Sequence, residues 1–244
     1  MGKRFVARCA LCGEVRLSTR EHVIPRGFYP PSKASSRIQR IVIPACGPCN
    51  NGTADDDVHL RNVISIAGTA NAAVTELWDG PIRRSLRLGD GPRRAAEMMR
   101  IMTPPTERPG MFRIYPGKDA RILRSVRKIV RGLSFHHGLR WPLDDDQVFC
   151  DTLRAPVPTV VLNHMTEAHA EPDIMNYRYA TVTDSPGIES GWLLRFYERT
   201  VFIGMVFESA QEKRRQETIG ELGRFETRLE TVINGETGIP SVRD

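Results

Sequence analysis

CALCGEVRLSTREHVIP, residues 9–25, opens on two cysteines spaced by two residues and closes on a carboxylate, an imidazole and a proline. A second pair, Cys46-Gly-Pro-Cys49, follows after an interval of 33 residues. A CxxC lets the backbone wrap one metal ion, and two such pairs supply the four thiolates of a tetrahedral zinc site. Disulfides are disfavoured in a reducing cytosol. A thioredoxin-like redox site needs one CxxC in a βαβ setting, which the pattern lacks. Cys9, Cys12, Cys46 and Cys49 are therefore expected to hold structural Zn(II), with Gly13, Gly47 and Pro48 forming the turns. Cys150 stands alone and reads as a partly buried free thiol.

The insert between the knuckles reads as strand, loop, strand. Residues 14–24 form a short strand entering a turn, stopped by Pro25 and Gly27. YPPSKASS (29–36) is a loop, and residues 38–44 are a second strand rich in Ile and Val. After the second knuckle, Leu60, Val63, Ile64, Ala67, Val74, Leu77 and Trp78 recur at helical spacing, and Gly80-Pro81 closes that helix.

Bulk composition is that of a soluble globular chain of 244 residues, 40% hydrophobic and 26% charged. No secretory pattern or membrane-length apolar run is present, so a cytoplasmic location is expected and a membrane partner is not. The net charge of +6 is concentrated. Residues 1–40 carry nine basic and two acidic side chains, net +7, and the remainder sums to −1. A polyanion, nucleic acid first, is the partner such a segment attracts, although a solvated basic face has the same composition.

The string Cys9xxCys12, Glu21-His22-Val23-Ile24-Pro25, Cys46xxCys49-Asn50 resembles the HNH endonucleases, in the zinc-stapled branch with an EHxxP…CxxCN signature. The resemblance covers about residues 5–60. It implies the ββα-metal (His-Me finger) fold and hydrolysis of phosphodiester bonds, in DNA rather than RNA. It also implies roles for single residues. His22 would be the general base, since imidazole titrates near neutrality. Glu21 and Asn50 would hold a catalytic Mg(II) or Mn(II) through hard oxygens. Asp56, among Asp55–Asp57, is a weaker third ligand; helix N-capping is the other reading of these acids. Arg20, Arg26, Lys33, Arg37 and Arg40 become phosphate-contact candidates. The chain departs from the family in one respect. The asparagine expected before the third cysteine is missing, and Gln39 or a backbone carbonyl is left to orient His22. A non-catalytic zinc-ribbon module that binds nucleic acid, or a subunit of a defence or mobile-element complex, are the alternatives.

The fold class expected is α+β: an HNH finger stapled by a four-cysteine zinc site (1–80), a helical connector and linker (81–110), and a mixed C-terminal domain with an antiparallel sheet (111–244). Residues 81–103 read as helices broken by GDGP (89–92), TPPTERPG (103–110) as a linker and MFRIY (111–115) as a short strand. Residues 119–133 read as an amphipathic helix capped by Asp119, with Arg121, Arg124, Arg127, Lys128 and Arg131 on its outer face, where nucleic acid or solvent would meet them. Residues 157–162, 176–183, 191–198 and 201–208 read as strands, the last two a hairpin turning at Arg199-Thr200. The charged tail reads as partly helical. His136, His137, His164 and His169 lack partners at metal spacing.

Overall fold

The computed structural model describes residues 4–66, 70–103, 113–114, 119–153, 156–183 and 185–218. The chain is α+β with antiparallel sheets. β1 (Phe5–Arg8), β2 (Val15–His22) and β3 (Val42–Cys46) form a sheet in that order, with Arg8 opposite Val15 and His22 opposite Val42. The second strand of the insert starts at Val42, later than the sequence pattern suggests. The Ser36–Arg40 stretch is taken up by the approach to the sheet, although Val23 N–H still donates to Ile41 O.

β3 leads without a loop into α1 (Gly47–Asn51) and, past Gly52, into α2 (Ala54–Ile66). Gly47 and Pro48 are thus the first helical residues rather than a turn; proline is tolerated there because its missing N–H would have no intrahelical acceptor. The expected single helix through Trp78 is two helices, α3 (Ala72–Leu77) being capped separately by the Asn71 side chain. Nor does Gly80-Pro81 end it. The chain continues through a π-helical turn at Trp78–Ile82, wide enough to carry Pro81, into α4 (Arg83–Arg87). The break expected at 89–92 is present but shorter: α5 (Gly91–Arg100) restarts at Gly91, with Pro92 in its first turn. β4 (Met102–Thr103) pairs with β5 (Arg113–Ile114). The rest of the expected linker and of MFRIY, and the tail beyond α8 (Ala210–Thr218), lie outside the described residues.

α6 (Ala120–His136) is capped by Asp119, whose carboxylate accepts from Arg121 N–H. It buries Ile122, Val126, Ile129, Val130 and Leu133. This helix packs on α2 and β3 on one side and on β6 (Val148–Thr152) and β10 (Thr200–Phe207) on the other. At Gly132 a β-carbon would lie 3.0 Å from Val23 Cγ2 and 3.3 Å from Ile43 Cδ1, so any larger residue would require those side chains to give way where the helix meets the small sheet. Val23, Ile43, Leu60, Ile129, Leu133, Phe196 and Phe202 belong to one continuous core. Buried residues of the first 66 thus share one core with α6 and the second sheet.

The second sheet has the order β6-β10-β9-β8-β7, with β7 (Thr166–Glu171), β8 (Met175–Thr181) and β9 (Ile188–Phe196). β6 and β7 escape the hydrophobic pattern; β7, TEAHAE, is a polar edge strand. Residues 157–162 are not a strand: α7 (Thr159–Asn163) starts after Pro158, a short apolar run whose periodicity cannot separate helix from strand. The β9–β10 hairpin turns one step early, with Phe196 opposite Thr200 and Tyr197 and Glu198 at positive φ (50° and 64°). That turn puts Tyr197 against the small sheet's loop. Its hydroxyl donates to Phe28 O at 2.9 Å, and its ring stacks on Phe28. Arg199 donates to Ile64 O and Ser65 O at the end of α2. Among the described residues no helix is long and apolar enough to cross a membrane.

Candidate functional site

The four knuckle cysteines come together. Their Sγ atoms all lie within 4.8 Å of one another, and Cys12 and Cys46 are 3.8 Å apart. Thiolates at ~2.3 Å around a tetrahedral zinc are about 3.8 Å apart, so the donor set fits that ion. Gly13 makes the first knuckle possible. It has φ of +74°, its N–H donates to Cys9 O, and a β-carbon there would meet Pro142 Cγ at 2.7 Å. Burial pushes the Cys9 thiol up, but N–H groups of Cys46, Cys12 and Leu11 outweigh it and bring the thiol down to about 7. Such donors stabilise a metal-bound thiolate in the same way. α6 secures the knuckle from behind, Arg131 donating to Leu11 O at 2.9 Å. Cys150 is buried on β6 away from this cluster, its thiol pushed up to about 12 by burial.

β2 ends at His22, where residues on opposite faces of a strand reach one cleft. Glu21, His22, Asn50, Asp57, Arg20, Arg26 and Arg61 line a cavity of about 330 Å³ between the end of β2 and the start of α2. Asn50 sits on α1 directly after Cys49, and its Nδ2 donates to Thr19 Oγ1 at 2.7 Å, so the amide oxygen is the atom it could offer a metal. His22 Nδ1 is buried and has no hydrogen-bond partner. Neither Gln39, which is exposed, nor a backbone carbonyl holds that nitrogen. Burial first, then the nearby Arg26 and Arg40 cations, depress the His22 pKa, which keeps the ring neutral.

The third expected ligand is elsewhere. Asp56 is gripped by Arg124, Nε to Oδ2 at 2.8 Å and Nη2 to Oδ1 at 3.1 Å, a two-pronged pair that removes it from the cleft chemistry. The acid beside Glu21 is Asp57. Lys128 Nζ joins them, 2.7 Å from Glu21 Oε1 and 3.0 Å from Asp57 Oδ2. Ser125 donates to the other Asp57 oxygen at 2.8 Å. Burial raises both carboxyl pKa values, only partly offset by the ammonium. The cations expected on the outer face of α6 are thus paired with acids, and Lys128 among them is buried. Arg121 pairs with Asp119 and Glu97, Arg124 with Asp56, Arg127 with Asp145 and Lys128 with Glu21 and Asp57.

Of the expected phosphate contacts, Arg20 and Arg26 line the cleft and are exposed. Both also border an adjoining open groove of about 1040 Å³ with Arg4, Phe5, Asn50 and Asn51. Arg40 flanks His22 on the other side, its guanidinium 4.1 Å over the Tyr29 ring. Lys33 is committed to Glu171 at 3.1 Å and Asp173 at 3.0 Å, pinning its loop to the large sheet. Arg37 is exposed and does not line these clefts. The sequence pattern puts Lys128 on an outer helix face, offers Asp57 only as one of three acids at a helix start, and passes over Arg61. A signal existed for the first: Ser125, Lys128 and Gly132 form a row of small or aliphatic-stemmed residues beside the apolar stripe, the mark of a second packed face. His137 and His164 have ordinary partners, the Tyr177 hydroxyl and Val160 O.

No family model, curated protein or solved structure matches this chain.

Proposed function

We propose that this protein is an endonuclease of the HNH kind, cutting phosphodiester bonds in nucleic acid, DNA before RNA, with a ββα-metal module built from β2, β3 and α1. One observation carries the reading: the end of β2 and the start of α1, stapled by the four cysteines, present His22, Glu21 and Asn50 to a single cleft bordered by Arg20, Arg26 and Arg61. His22 accepts the proton of the attacking water, for which its neutral ring is suited. Glu21 and Asn50 offer a carboxylate and an amide oxygen to Mg(II) or Mn(II); Asp56 does not. Such an ion, when bound, neutralises the scissile phosphate and the departing 3′ oxygen. Arg20 and Arg26 hold the phosphate backbone on either side. Zn(II) on Cys9, Cys12, Cys46 and Cys49 is structural.

Plasmid cleavage by wild type and His22→Ala, with Mg(II), Mn(II) or Ni(II), tests the reading. The variant should lose cleavage and keep its zinc and its DNA affinity; cleavage at the wild-type rate would sink it. The competing reading is a zinc-stapled module that binds nucleic acid without cutting it. It draws support from the ammonium already seated on Glu21, and it predicts no cleavage by either protein.

A further inference from the structure

The residue asked to hold a divalent ion already has a cation. Lys128 Nζ makes three close contacts, to Glu21 Oε1 at 2.7 Å, Asp57 Oδ2 at 3.0 Å and Thr53 Oγ1 at 3.0 Å. An ammonium has three protons, so its donor capacity is used up. Ser125 on the same helix fixes the second oxygen of Asp57. Lys128, Glu21 and Asp57 are 5%, 9% and 8% exposed, so the arrangement is built into the interior rather than formed by a passing surface side chain. The charge around the cleft points the same way. Two carboxylates, Glu21 and Asp57, face four cations, Lys128, Arg20, Arg26 and Arg61. A dication entering this site meets a surplus of positive charge and a carboxylate one of whose oxygens is taken.

We infer that Lys128 competes with the divalent ion for Glu21, so that the free protein loads Mg(II) or Mn(II) weakly. Lys128 is a positioning residue here: it acts through Glu21. A substrate phosphate would bring the negative charge that the free cleft lacks. The inference rests on the proposed role of Glu21 as an ion ligand, and binding of Mn(II) by the zinc-loaded 244-residue chain without DNA tests it independently of cleavage.

Electron paramagnetic resonance should show no saturable Mn(II) site in the wild type below about millimolar, while Lys128→Met gains one site at least about tenfold tighter. Glu21→Gln added to Lys128→Met should abolish that gain. Lys128→Met/Asp57→Asn, which removes the second buried acid and so tolerates loss of the ammonium, should bind Mn(II) better than wild type. A tight Mn(II) site in the wild type, or Lys128 variants that bind no better than it, overturns the inference. Cleavage by wild type with unaltered Mn(II) binding in the variants would remove this inference and leave the nuclease reading. Tighter Mn(II) binding in Lys128→Met with no cleavage by any protein would do the reverse.

Discussion

Lys128→Met should destabilise the protein strongly, and in a pH-dependent way. Methionine keeps most of the stem's volume and removes the ammonium, with its contacts to Glu21, Asp57 and Thr53. Two buried carboxylates are then left facing each other without a cation. Breaking a buried pair in this manner costs about 3–5 kcal/mol, a large share of the ~5–15 kcal/mol by which a domain is stable. The pH dependence follows from the carboxyl groups. Burial raises both above their ordinary values, and the Lys128 charge is the main force pulling each back. Without it both rise further. A carboxyl with a raised folded pKa holds a proton that the unfolded chain has released, so stability falls as pH climbs from the ordinary carboxyl range through the folded value. The gap between variant and wild type should therefore widen from about pH 5 to about pH 8. Urea unfolding followed by tryptophan fluorescence at both pH values measures it. Lys128→Met/Asp57→Asn should recover more than half of the loss at the higher pH. A gap below about 1 kcal/mol at pH 8, the size of an exposed pair, would refute the buried ammonium as the link between α6 and β2.

The chain should carry one zinc ion, and Cys46→Ser should lose it together with the fold of residues 4–66, seen as loss of zinc by metal analysis and of protection in hydrogen exchange. The acid limb of the cleavage profile should lie below the ordinary imidazole value of 6.5, because burial, Arg26 and Arg40 all disfavour the charged ring; Arg40→Ala should move that limb to higher pH. Arg20→Ala and Arg26→Ala should each lower the slope of log K against log salt for DNA binding by about 1. Lys33→Ala should leave that slope unchanged and lower stability instead, since its charge is spent on Glu171 and Asp173.

The part of this architecture that was legible in the sequence is the part whose determinants are local. Two CxxC pairs can gather around a metal because each pair needs only its own turn, and Gly13, at φ +74°, is where the turn demands glycine. The grouping of Glu21, His22 and Asn50 is what the resemblance to the EHxxP…CxxCN signature implies, and all three line one cleft. Distance along the chain is what hid the rest. Lys128 meets Asp57 across 71 residues and Arg124 meets Asp56 across 68, and a helical wheel of α6 shows only that a row of cations lies off the apolar stripe. A wheel with one apolar face reads the opposite face as solvent, yet α6 is enclosed on more than one side, by α2 and β3 and by the second sheet. There Lys128 is buried against Glu21 and Asp57, and Arg124, still partly in solvent, pairs with Asp56. Tyr197 shows the same limit from the other sheet: a hairpin-tip residue with no local partner closes the loop after His22 by donating to Phe28 O. The accessory segment is thus not a neighbour of the candidate site but its back wall. It supplies the cation on Glu21, and a helix that fixes the carboxylate from behind is in a position to set how readily the front of the cleft accepts a metal ion.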